Sequence, residues 1–118
     1  MVKSHHDLVV WQKSMELVKL VYRDTERLPA SEVRGLSGQV RRAAVSIPSN
    51  ISEGQQRKNL KEFLQFLRIA FGSTAEVETQ LMLAKDLYPS VSFSETLSLT
   101  QEIGKMLNVL IRKLETKN

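Results

Sequence analysis

The sequence contains no cysteine and only two histidines in 118 residues. The missing cysteines exclude disulfides, iron–sulfur clusters, thiolate zinc sites and thiol nucleophiles together, and they fit a reducing compartment. The histidines, His5 and His6, are neighbours. On a helix they diverge by about 100°, so they cannot hold a metal as an i, i+4 pair does. They read as part of a solvated N-terminus. No Glu-x-x-His occurs, which excludes the ligand set of a di-iron carboxylate bundle. No Gly-x-x-x-x-Gly-Lys cradle is present, and a Ser–His–Asp arrangement could draw only on the terminal histidines. Residues 1–7 lack the apolar core of a signal peptide, and no apolar run nears the roughly 18 residues of a membrane span. These absences predict a soluble, cytoplasmic, non-enzymatic protein with no catalytic residues, metal, cofactor or membrane partner.

What is present is helical. Apolar residues make up 42% and charged residues 25%, values of an ordinary globular chain, and 118 residues suit a single domain, 1–118. Three breaks divide the chain into four apolar-periodic segments: Leu28-Pro29-Ala30-Ser31, Gly54 to Asn59, and Tyr88 to Ser94. The spacing predicts helices over about 8–28, 32–53, 60–87 and 94–114 in an all-α, antiparallel, up-and-down four-helix bundle. Asp7 is the expected N-cap of the first helix, Gly54 the left-handed cap of the second, and Asn59 the N-cap of the third. Pro48 lies inside the second segment. A kink there is favoured over a break because Ile51 stays in phase with Ile47 and Val40. The first and third helices carry apolar residues around more of their circumference than a lone bundle can cover, which points to association of subunits.

Net charge is +4, and most of it is local. From Glu32 to Lys58 five bases (Arg34, Arg41, Arg42, Arg57 and Lys58) stand against two acids, while the remainder holds 12 bases and 11 acids. Such a patch can attract phosphates. The plainer reading is a solvated face with local ion pairs. All seven aromatics fall outside this stretch, so stacking on unpaired bases is not expected and backbone contact is the mode left open.

Glu78 projects among Leu60, Leu67, Phe71 and Leu81 on the third helix. A carboxylate in such surroundings needs a partner. Arg41, beside the apolar stripe of the second helix, is the expected one, with a ligand-binding role for Glu78 as the alternative.

Four stretches resemble a known family: Asp7 to Leu17 (DLVVWQKSMEL), Gly35 to Gly54 (GLSGQVRRAAVSIPSNISEG), Lys61 to Leu81 (KEFLQFLRIAFGSTAEVETQL) and Glu102 to Leu114 (EIGKMLNVLIRKL). This is the bacterial four-helix-bundle family encoded in intervening sequences of 23S ribosomal RNA genes, often labelled ribosomal-type proteins. The sequence is also similar to the accessory protein of diversity-generating retroelements. Ser52 stands where alanine is expected, and Phe71 where a smaller or basic residue is common. The resemblance implies a left-handed bundle assembled as a homopentamer, and no catalytic residues to carry over. The resulting expectation is a homo-oligomeric adaptor that contacts RNA or DNA backbones through Arg34, Arg41, Arg42, Arg57 and Lys58. The alternative is an assembly ring that binds a protein partner and uses those residues in salt bridges. Where the basic side chains point discriminates the two.

Overall fold

A computed structural model describes His5 and residues 8–117. Four α-helices, α1 (Val9–Thr25), α2 (Leu36–Gln56), α3 (Leu60–Leu87) and α4 (Ser94–Glu115), form a bundle 46 Å long and about 20 Å across. A short 3₁₀ turn, Ala30–Glu32, precedes α2. Short links make successive helices antiparallel neighbours. Each helix packs on two others: α1 and α3 both rest on α2 and α4, and they occupy opposite corners of the bundle.

Each helix buries one stripe. On α1 it is Val10, Ser14, Leu17, Val21 and Asp24; on α2, Val40, Ala44, Ile47 and Ile51. On α3 the stripe runs Leu64, Leu67, Ala70, Val77, Leu81 and Ala84, and on α4, Thr96, Thr100, Ile103, Leu107 and Ile111. Phe93, only 2% exposed, adds the largest side chain of the buried core from the α3–α4 link. The apolar face expected around Glu78 on α3 is displaced from the core, because Phe71 lies in solvent. Apolar residues surround this helix so nearly that their centre does not mark the core direction.

Helix ends follow local chemistry. The α3 bounds match the spacing, and Asn59 accepts a bond from the Glu62 amide at 3.0 Å. By contrast α1 stops at Thr25, where the Arg27 and Leu28 amides reach back only three residues, to Asp24 and Thr25. Its expected cap, Asp7, lies outside the described residues. The second helix begins at Leu36, not near 32, because Gly35 takes a non-helical ψ of −117°. There Glu32 Oε1 accepts from the Leu36 amide at 3.1 Å. Beyond Gly35 α2 runs unbroken through buried Pro48 to Gln56.

Gly54 is not the cap. It sits inside α2 where the helix meets α3 closely, and a Cβ there would lie 2.7 Å from Phe66 Cβ and 3.1 Å from Phe63 Cδ1. Lys58 instead takes the left-handed conformation, φ 54°, that reverses the chain.

Candidate nucleic-acid interface

The five bases proposed for phosphate contact all lie on α2 or its flanking turns, but the fold does not gather them. Arg41 turns toward α1. Its Nε donates to Thr25 Oγ1 at 2.9 Å, and its guanidinium carbon lies 4.6 Å from the Tyr22 ring centre. Arg42 is exposed between two hollows, one of about 490 Å³ that Tyr22, Arg41 and Val45 also line, and one of about 320 Å³ that Ser46, Glu76 and Gln80 also line. The Gln80 Oε1 there is buried without a hydrogen-bond partner.

Arg57 shares roughly the side of Arg42, 15 residues and about 22 Å further along the helix. It is engaged three ways: with Glu53 at 3.0 Å, with Glu62 at 3.8 Å, and over the Phe66 ring at 5.1 Å. Arg34, before α2, and Lys58, after it, are exposed at opposite ends. Among the described residues Arg34, Arg42 and Lys58 take part in none of the ion pairs.

The polar face between Arg42 and Arg57 is largely spoken for. Ser46 and Ser73 of α3 share a hydrogen bond of 2.8 Å, and Asn50 Nδ2 donates to the Ser46 carbonyl and hydroxyl at 2.8 and 2.9 Å. The Ser52 hydroxyl donates to the Ser49 carbonyl at 3.1 Å.

The expected Glu78–Arg41 pair is not formed. Glu78 faces α4, half-buried, and accepts from Gln101 Nε2 at 2.9 Å. Arg41 faces α1, so the two lie on opposite flanks of the bundle. The buried acid is Asp24. Its side chain is fully covered and accepts from Arg23 Nε at 3.0 Å and Arg27 Nη2 at 2.6 Å on one oxygen. The other oxygen accepts from the buried Thr96 hydroxyl of α4. A sequence signal existed: Asp24 is in helical register with Leu17, Val21 and Leu28, all buried.

Among the described residues no group of histidines and carboxylates is placed to hold a metal ion. No helix of the described chain is long and apolar enough to cross a membrane.

A four-helix bundle without a clustered polar site defines the class of protein. The chain belongs to the 23S rRNA-intervening sequence protein family, whose model matches residues 6–109. It is similar to a crystal structure from Bacteroides thetaiotaomicron described as a protein of unknown function from the S23 ribosomal protein family. That match has 27% identity and a TM-score of 0.77, and covers 87% of this chain and 98% of the other. No curated protein matches the chain.

Proposed function

We propose that this protein is non-enzymatic and acts as an assembly of identical copies, a cytoplasmic ring of bundles. The observation that carries this reading is where large apolar side chains stay in solvent. Among the described residues eleven large apolar side chains are exposed, and eight of them lie on α1 and α3: Val9, Met15, Tyr22, Ile69, Phe71, Met82, Leu83 and Leu87. Exposed apolar groups concentrated on a face mark interaction surfaces. The two helices occupy opposite corners, so contact between their unlike faces repeats head to tail and closes into a ring when the rotation allows. The family resemblance supports a copy number of five. Sedimentation of Ile69→Glu/Leu83→Glu tests the reading. The wild type sediments as an oligomer and the variant as a folded monomer; an unchanged variant contradicts it.

Nucleic-acid backbone binding is the second reading, and exposed Arg34, Arg42 and Lys58 favour it. Five copies at +4 each carry +20. Repetition of a weak patch on one reachable face raises effective affinity without new contacts. Binding of this kind follows phosphates rather than base identity. With about five phosphates neutralised on duplex DNA, log K falls with log salt at a slope of roughly −4 to −5. Absence of any retention of RNA or DNA at about 50 mM salt leaves only the assembly reading, with a protein partner.

A further inference from the structure

At the end of the bundle where α2 passes into α3, the structure has an apolar hollow of about 610 Å³. Leu8, Leu60, Phe63, Leu110 and Leu114 form its floor, each packed on the core but left half in solvent. Lys58 and Lys117, both exposed, are the charged residues on its lining, and no carboxylate accompanies them among the described residues.

Lys58 is held there at some cost. Its φ of 54° is the one positive value among the described non-glycine residues. Glycine or asparagine adopts that conformation more readily than lysine. Backbone kept in a disfavoured region points to a use for the side chain that occupies it. Glycine or asparagine would make the same turn without an ammonium group.

We propose that this hollow is a docking site for a short acidic segment of another protein. One or two large apolar side chains of that segment cover the floor, and carboxylates flanking them meet Lys58 and Lys117. Charge complementarity selects this occupant. A nucleic-acid backbone would satisfy the lysines but leave the five apolar side chains wet. A free aliphatic carboxylate needs a cavity that envelops its tail, whereas this floor can only be covered.

The test uses the full chain and fluorescent twelve-residue peptides carrying two leucines flanked by glutamates, read by anisotropy. Control peptides replace the glutamates by lysine or the leucines by serine. The glutamate–leucine peptide binds saturably and both controls bind at least about tenfold more weakly, as loss of a charge pair or an apolar anchor implies. Lys58→Asn relieves the left-handed strain, so its melting temperature holds or rises while peptide affinity falls about fivefold or more. Leu114→Gln weakens the peptide similarly but leaves retention of DNA unchanged, which separates this surface from phosphate binding. Lys117→Glu, at an exposed position, repeats the loss without touching the floor. Equal binding of the lysine-flanked peptide, or indifference of the peptide to Leu114→Gln, overturns the proposal. Binding of dodecanoate in place of the peptide overturns it in favour of a small amphiphile.

Discussion

Arg41 stacks on Tyr22: its guanidinium carbon lies 4.6 Å from the ring centre while its Nε donates to Thr25 at 2.9 Å. This contact ties α2 to α1 and engages Nε of Arg41, the most buried of the five bases, within the fold. Arg57 is likewise held, by Glu53, Glu62 and Phe66. The basic segment therefore serves the fold at two positions and remains free at three.

These roles separate by mutation. Arg41→Gln lowers stability by about 1 kcal/mol, the worth of one cation–π contact and one hydrogen bond, and leaves nucleic-acid retention unchanged. Arg42→Glu with Lys58→Glu leaves the melting temperature within about a degree, as surface substitutions usually do, and abolishes retention. Filter binding beside thermal melts decides. A loss of retention on Arg41→Gln alone contradicts the assignment.

Asp24, not Glu78, carries the energetic weight of a buried acid. Asp24→Ala strands the Thr96 hydroxyl and removes charge-assisted bonds, although half-exposed Arg23 and Arg27 regain water. The expected loss is about 2–4 kcal/mol. Glu78→Ala removes one exposed bond to Gln101 and costs less than about 1 kcal/mol. Urea titration of both variants checks the order, and a larger loss for Glu78→Ala contradicts it.

The Tyr88 hydroxyl donates to Glu32 at 2.5 Å, joining the C-terminal end of α3 to the approach to α2. This bond, together with the Leu36 amide, holds the Glu32 carboxyl below the usual glutamate range, and the same bond pushes the Tyr88 phenol up. A depressed carboxyl contributes stability above its ordinary pKa and loses it as pH falls through the folded value. A raised phenol contributes below its ordinary pKa, about 10, and loses it as pH rises through the folded value. The stability difference between wild type and Tyr88→Phe is thus largest near neutrality and shrinks at both extremes. Thermal melts at acidic, neutral and strongly alkaline pH read this directly. A difference that does not vary with pH contradicts it.

Gly54 tests the closest approach of α2 and α3. Alanine favours helix over glycine by up to about 1 kcal/mol. Here, however, its Cβ would meet Phe66 Cβ at 2.7 Å, an atom fixed to the backbone. Strain wins, with a net loss of about 1–3 kcal/mol. A stabilised Gly54→Ala in denaturant titration shows that the helices can part freely.

Much of this architecture was legible in the residues, for identifiable reasons. Four helices follow from four periodic segments, and the α3 bounds follow from Asn59 and from Pro89 beyond Tyr88. Tertiary needs defeated the local reading elsewhere. Gly54 looks like a cap because a cap and a close approach both call for glycine, and only the packed partner distinguishes them. Glu78 looks buried because α3 is apolar on most sides, so a wheel finds a centre that is not the core. Asp24 is in register with the buried stripe of α1, and flanking Arg23 and Arg27 are what permit its burial. The basic patch is contiguous in sequence but spread along α2, where Arg41 bonds to α1 while Arg34 and Lys58 stand at opposite ends.

The central claim is self-association through the apolar faces left open on α1 and α3. Multi-angle light scattering at micromolar concentration tests it most directly. The expected mass is about five times the 13.4 kDa of one chain. A dimer or tetramer would contradict the copy number but keep the interface argument, and a mass of 13.4 kDa would contradict the claim itself.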